Sequence, residues 1–215
     1  KNPAGYLIVM RVLFVVSEFG FWAEECIEPL KEIREKHKVE VATPTGEVPK
    51  PDPESVEDYS EFLEEDDDLN YPLALMEGYR NRDDYDALVL PGGHGTLWDI
   101  NQDTHVQELL KEAVEKQGAL VICHAVGILG FTEELTDGRE ITGFPNGWEK
   151  DQVDENEVRE GKKLPYRVED ELKKAGADWN PELGKEVSVK IDGNLVTARG
   201  PDSSQKAAKL FLKEL

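Results

Sequence analysis

Residues 118–131 have the sequence GALVICHAVGILGF, and this stretch decides the fold class of the chain. Its first half is a short, wholly apolar run, which is typical of a strand buried on both faces of a parallel sheet. Cys123 and His124 follow at the point where a second apolar run begins. The pattern therefore predicts a strand, a sharp turn and a helix, with further parallel strands beside the first.

Other segments supply those strands and the helices between them. Strands are predicted at 10–17, 39–44 and 85–93, and helices at 21–37 and from 101–105 to Lys116. Near the C-terminus, 187–200 alternates around Asp192, Gly193 and Asn194 as a hairpin, and 203–215 predicts a closing amphipathic helix. We expect a doubly wound α/β fold with a mostly parallel sheet and a C-terminal hairpin.

The remaining segments contribute little to the sheet. Residues 45–84 are acidic and contain prolines, which predicts a surface excursion with one helix near 72–79. Residues 145–179 are polar and partly helical around 168–176, so we expect a small lid-like insertion over the site. We expect one domain over 10–215, while residues 1–9 precede Met10 and are expected to be a cloning remnant or a misassigned start.

Charge and cysteine content exclude several classes of function. The chain carries 46 Asp and Glu against 25 Lys and Arg, a formal net charge of −21, with no basic run. Such a surface repels phosphate backbones and anionic lipid, so neither a nucleic acid nor a membrane is an expected partner. The same charge predicts a fold that requires salt, and hence a halophilic source. Two cysteines without a CxxC pair and no visible secretory signal predict a cytoplasmic protein.

Three segments end parallel strands and should meet at one edge of the sheet: 17–25, 91–98 and 122–127. Cys123 lies at a turn where helix N–H groups favour a thiolate, although a buried structural cysteine is the alternative. His124 beside a thiol completes the minimum set for nucleophilic catalysis, although it could also be a structural residue at the start of a helix. Residues 91–95, PGGHG, could supply amides for an oxyanion, or could simply form a turn.

No metal site is expected from the histidine spacing. The four histidines show no HxxxH or HxH pattern, and no cysteine joins them. They lie at positions 37, 94, 105 and 124.

Five segments occur together in the order typical of the ThiJ/PfpI superfamily, which this chain therefore resembles. They are GFWAEE (20–25), LVLPGGHGTLWD (88–99), VICHAVGIL (121–129), ITGF (141–144) and GPDSS (200–204). The resemblance implies a flavodoxin-like sandwich of the class I glutamine amidotransferase type. Within the superfamily, the segments are similar to the branch of glutathione-independent glyoxalases and heat-shock chaperone-like proteins. Ala125 and Val126 depart from the Gly-Pro or Ala-Pro that more often follows Cys-His.

The resemblance implies a role for each candidate residue. Cys123 matches the nucleophile, His124 the adjacent base, and Glu25 the buried carboxyl that hydrogen-bonds the sulfur. The amides of Gly93 and His124 match the oxyanion hole. Glu149 matches the acid that orients the histidine.

Residues near the nucleophile are expected to contact substrate, namely Gly92, His94 and Trp22. The implied reaction is attack of the Cys123 thiolate on methylglyoxal or glyoxal, giving a 2-hydroxy acid without any cofactor. A homodimer acting in the stress response is expected, and protein deglycation is a related possibility. Cys123 should titrate well below an ordinary thiol, whereas Cys26 should be unreactive.

Two other classes of function stay open. A holdase chaperone or redox sensor would use apolar surface or an oxidised Cys123. A cysteine peptidase or amidase usually takes its histidine from later in the chain, and no histidine follows position 124.

Overall fold

A seven-stranded sheet forms the centre of the protein in this computed structural model, which describes residues 8–153 and 161–215. Its strands are β1 (Arg11–Val15), β2 (Lys38–Thr43), β3 (Leu73–Ala74), β4 (Ala87–Leu90), β5 (Gly118–Ile122), β8 (Val189–Asp192) and β9 (Leu195–Ala198). They lie in the order β3-β2-β1-β4-β5-β9-β8, and every neighbouring pair is parallel except β8 with β9. Two further strands, β6 (Glu140–Ile141) and β7 (Asp178–Trp179), pair separately.

Helices cover both faces of this sheet. They are α1 (Ala23–Arg34), α2 (Ser60–Glu65), α3 (Asp67–Asn70), α4 (Leu75–Arg80), α5 (Thr96–Asp99), α6 (Thr104–Lys116), α7 (Val168–Lys174) and α8 (Pro201–Glu214). Because side chains alternate along a strand, Val12 and Phe14 of β1 pack under α1 and α8, while Leu13 and Val15 face the core that contains α6 and α7. These two apolar layers confirm the predicted doubly wound, mostly parallel α/β fold.

The C-terminal hairpin is also confirmed. Strands β8 and β9 are antiparallel, Asp192 faces Leu195, and Gly193 and Asn194 form the turn. Gly193 has a φ of 60°, in the left-handed region that hairpin turns of two residues favour.

Two local predictions differ from the structure. The segment after β5 is not an α-helix but a run of 3₁₀ turns over Cys123–Phe131, seven of whose nine residues are buried. The acidic excursion contributes the edge strand β3 as well as three helices. Two residues are too few for a strand period, so the sequence pattern shows no sign of β3.

The predicted lid segment, 145–179, is described except for residues 154–160, which lie outside the described residues, as do positions 1–7 of the predicted remnant. Its first turn is a 3₁₀ turn at Asn146–Trp148, and α7 packs on the turns that follow Cys123. None of the helices within 8–153 and 161–215 has the length and apolar character that a membrane span requires.

Candidate active site

Cys123 occupies a strained position at the carboxyl end of β5. Its φ of 57° lies in the left-handed region, which only glycine adopts without strain. The strand before it is fully buried, and the turns after it begin at Cys123 itself. Strands β1, β4 and β5 lie side by side in the sheet and are parallel, so their carboxyl ends lie at the same edge. The elbow holds the side chain of Cys123 at this edge.

Two glycines after β4 allow the neighbouring loops to pack against the elbow. A Cβ on Gly92 would lie 2.6 Å from the Cβ of Cys123, and would also collide with the carboxyl group of Glu25. A Cβ on Gly93, whose φ is 110°, would lie 2.6 Å from the backbone of Phe21. Any side chain at either position would therefore push the three loops apart.

Glu25 lies in the first turn of α1, fully buried beside the sulfur of Cys123. Neither oxygen of its carboxyl group has a well-aligned hydrogen-bond partner among the described residues. Burial raises the pKa of Glu25 to about 8, although interactions with Cys123 and the N–H of Gly92 act in the opposite direction. At neutral pH the carboxyl group of Glu25 is therefore protonated.

His124 connects the thiol to a buried carboxylate. Its Nδ1 lies 3.3 Å from Sγ of Cys123, and its Nε2 lies 2.7 Å from Oε2 of Glu149. Because an ionised carboxylate only accepts hydrogen bonds, Nε2 carries the ring proton. Nδ1 is then unprotonated and directed at the thiol, as a general base requires.

Glu149 also accepts a hydrogen bond from a second histidine. Nε2 of His94 lies 3.0 Å from Oε1, and the backbone N–H of Lys150 lies 3.1 Å from the same oxygen. The imidazole of His94 lies against that of His124, with ring centroids 4.1 Å apart, while Phe144 stacks against His124 at 4.3 Å. These contacts hold the ring of His124 in one orientation.

Burial and hydrogen bonding determine the charges of Glu149, His124 and Cys123 in the resting site. Hydrogen bonds from His124 and His94 hold the pKa of Glu149 well below its usual range, against the effect of burial. Burial lowers the pKa of His124 to about 4, so the imidazole is neutral at pH 7. Burial, and then Glu25, raise the pKa of Cys123 well above its usual value. This direction is opposite to the predicted one, because the helix field and His124 do not offset the loss of solvation.

Cys26 differs from Cys123 in its surroundings. It is fully buried in α1 within the apolar layer under the sheet, and burial raises the pKa of its thiol. Cys26 does not line the cleft above the sulfur of Cys123.

A cleft of about 230 Å³ opens above the sulfur. This volume is below the roughly 300–1,000 Å³ of pockets for drug-sized ligands, so the site suits a small molecule. Residues that the sequence assigned to the site line it: Trp22, Glu25, Gly93, His94, Cys123, His124 and Glu149. Its other walls were not predicted: Glu54, Phe144, Trp148, Lys150 and Pro201.

The structure places Gly92 differently from the prediction of a substrate contact. It does not line the cleft, and its N–H faces the carboxyl group of Glu25. The requirement for glycine at this position comes from close packing, which sequence alone cannot separate from ligand contact.

The expectation of no metal site relied on spacing along the chain and stays a prediction. Folding brings together a ligand set that this spacing does not show: one ligand atom each of His94, His124 and Glu149 lies within 4.8 Å of the others. His94 could have been suspected from its place in the turn after β4. Its pairing with Glu149 had no sequence signal.

Comparison with known proteins identifies the family of this chain. The DJ-1/PfpI family model matches residues 10–214. The glutathione-independent glyoxalase of Saccharomyces cerevisiae is 29% identical over 209 residues, which cover 89% of this chain and 87% of the relative. Glyoxalase 3 of Candida albicans is 27% identical over 207 residues, 88% of this chain and 87% of the relative.

Solved structures show the same fold. The rapid encystment protein of Francisella tularensis superposes with a TM-score of 0.81 at 26% identity, over 96% of this chain and 99% of the other. Glyoxalase III of Candida albicans superposes with a TM-score of 0.77 at 21% identity, over 96% of this chain and 97% of the other.

Proposed function

Because this chain belongs to the DJ-1/PfpI family, we propose that it is a glyoxalase that converts methylglyoxal or glyoxal into a 2-hydroxy acid without glutathione. One observation supports the proposal above all. The imidazole of His124 lies between the sulfur of Cys123 and the carboxylate of Glu149, at the base of a small cleft.

The first step is addition of the thiol to the aldehyde carbon of methylglyoxal. The S–H proton passes to Nδ1 of His124 as the C–S bond forms, so a free thiolate is not needed in the resting site. Amides of Gly93 and His124 hold the negative oxygen, which then takes the proton back from His124 to give a hemithioacetal.

The second step moves a hydrogen between the two carbons. Nδ1 of His124 removes the proton from the former aldehyde carbon, giving an enediolate, and returns it to the neighbouring carbon. The hydroxyl proton passes from the oxygen of the first carbon to the oxygen of the second, so that the first carbon becomes the thioester carbonyl. The product is a lactoyl thioester on Cys123. Water then adds to the thioester carbonyl, the C–S bond breaks, and lactate leaves as the thiol is regenerated.

The test of this function is lactate formation from methylglyoxal by the purified protein in glutathione-free buffer, measured by proton NMR. Heat-denatured protein at the same concentration is the control for non-enzymatic conversion. Absence of lactate above that control, with glycolate likewise absent from glyoxal, would reject the proposal.

Protein deglycation is a second candidate for the same thiol. A deglycase of Pyrococcus abyssi is 28% identical over 147 residues, 68% of this chain and 71% of the relative. Release of lactate from methylglyoxal-treated N-acetyllysine, in buffer cleared of free methylglyoxal, distinguishes this activity from the first.

Activity should fall as pH rises through about 8, where Glu25 ionises in the wild type. A carboxylate beside the sulfur repels the charge that develops there, so kcat/KM should drop about tenfold per pH unit above this value. Glu25→Gln has no proton to lose, and its profile should stay flat across the same range.

Glu24→Gln is the matched control, since it removes a carboxyl one position away on the same helix. Ionised Glu24 raises the pKa of Glu25. Glu24→Gln should therefore still lose activity at high pH, but the loss should begin at a slightly lower pH than in the wild type. If Glu25→Gln loses activity above pH 8 as the wild type does, a group other than Glu25 is responsible for that loss.

The net charge of −21 supports a further proposal, that the fold requires salt. Self-repulsion opposes the compact state, and screening by salt relieves it. The melting temperature should rise with NaCl, mostly below about 1 M, where the Debye length falls to about 3 Å. A flat or falling melting temperature by calorimetry would remove the reason to infer a halophilic source.

Three further expectations from the sequence stay predictions. They are a single domain over 10–215, a homodimer and a cytoplasmic location.

A further inference from the structure

Three side chains from separate segments present ligand atoms to one point above the candidate nucleophile. Among the described residues, His94, His124 and Glu149 form the group whose ligand atoms all lie within 4.8 Å of one another. Nε2 of His124 is 2.7 Å from one carboxylate oxygen, and Nε2 of His94 is 3.0 Å from the other. All three side chains are shielded from solvent, with exposed fractions of 15% for His94 and 3% for each of the others.

We propose that these three residues form a binding site for Zn²⁺, with the remaining coordination position open to the cleft. Two neutral imidazoles and one carboxylate are a ligand set that zinc uses when it keeps a position for water or substrate. Ligand atoms on one zinc ion, at bond lengths of about 2.0–2.2 Å, lie about 3.5 Å apart in a tetrahedral site. The two histidines contact different oxygens of Glu149, and one ligand atom of each residue lies within 4.8 Å of the others. Binding therefore requires the three side chains to move by about 1 Å around the ion.

Contacts behind the ligands favour the same arrangement. Phe144 stacks on the ring of His124, and the backbone N–H of Lys150 donates to Glu149. Such supporting contacts orient metal ligands and strengthen binding. The sulfur of Cys123 is not part of the set, because it faces Nδ1 of His124, the ring nitrogen that the metal would not use.

Zinc at this site should inhibit the enzyme. When Nε2 of His124 binds the ion, the single proton of the neutral ring must lie on Nδ1. That nitrogen then donates toward Cys123 instead of accepting the thiol proton, so the general base is lost. This consequence rests on the proposed function, whereas the metal site itself does not.

Titration of metal-free protein with ZnCl₂ in a calorimeter tests the site without any assay of activity. Wild type should bind one zinc ion. Loss of an outer-shell partner alone costs about 10- to 100-fold in metal affinity, so His94→Gln and Glu149→Gln should each weaken binding by about 100-fold or more. His105→Gln is the matched control, because His105 is a part-exposed histidine outside the group and should leave the affinity unchanged.

Cys123→Ser tests whether the sulfur of Cys123 is a zinc ligand. Because the proposed set does not include this sulfur, the variant should bind zinc with the affinity of the wild type. Loss of binding in that variant, equal loss in His105→Gln, or no binding by wild type at millimolar zinc would each overturn the proposal. If His94→Gln does not fold, the spectrum of the Co²⁺-substituted wild type decides. Nitrogen and oxygen ligands alone are expected, and a sulfur-to-cobalt charge-transfer band would refute the ligand set.

Inhibition is then measured separately. Zinc should stop lactate formation at the concentration that half-saturates the calorimetric site, and a chelator should restore it. Zinc binding without inhibition would reject the loss of the base while leaving the site intact. A protein with no glyoxalase activity would reject the proposed function, and the calorimetric result would still decide the site.

Discussion

Replacing Cys123 by alanine should lower kcat for methylglyoxal by roughly 10⁴- to 10⁶-fold, the range seen when the nucleophile of a catalytic triad is removed. No other sulfur in the described part of the chain lines the cleft. The hemithioacetal and the thioester both require a covalent bond to the sulfur of Cys123. The measurement is lactate formation under saturating substrate, with far-ultraviolet circular dichroism to show that the variant is folded.

Cys26→Ala is the matched control, because it removes the second cysteine of the chain from a buried apolar site. It should lose some stability but keep kcat within a few-fold of wild type. A Cys123→Ala protein that retains a tenth of wild-type turnover would show that the reaction does not pass through this sulfur.

Glu149→Gln should lower kcat by about 10⁴-fold, because an amide cannot orient both histidines as a carboxylate does. Glu149 accepts from Nε2 of His124 and from Nε2 of His94 at the same time. A glutamine has one accepting oxygen, so its NH₂ group must face one of the two rings. If that ring is His124, its proton moves to Nδ1 and the base can no longer take the proton of Cys123.

The control for this substitution is Glu115→Gln, which makes the same change at an exposed position of α6. Its kcat should equal that of wild type. Glu149→Asp keeps the charge but shortens the side chain, so it should retain more activity than Glu149→Gln. Equal activity of Glu149→Gln and wild type would mean that His124 does not depend on this carboxylate for its tautomer.

Most of the sheet could be predicted from sequence, because its central strands are apolar runs that end in glycine or in the Cys-His pair. Strands β4 and β5 have that pattern, and β1, the other neighbour of β4, is also a mostly apolar run. The edge strand β3 does not, since a two-residue strand has no period to detect. The turns after Cys123 were predicted as an α-helix because a buried run has no polar face from which to judge its period.

The site could be predicted to the extent that strand order determines it. Cys123, Glu25 and Gly93 follow three adjacent parallel strands, so the topology alone brings them together. Glu149 has no such support, and its position depends on the turn at Asn146–Trp148. The contact between His94 and Glu149 also remained hidden, because nothing in the spacing of two residues from different loops indicates a shared hydrogen bond.

The backbone at Cys123 has a consequence for how such proteins evolve. A residue other than glycine in the left-handed region carries a strain of about 1–2 kcal/mol. Drift toward stability therefore favours glycine at this position, and Cys123→Gly should unfold at a higher denaturant concentration than Cys123→Ala. A chain that retains cysteine at this position is less stable than one with glycine there. A descendant with glycine in place of Cys123 would thus be expected to have lost the activity of the thiol and gained conformational stability.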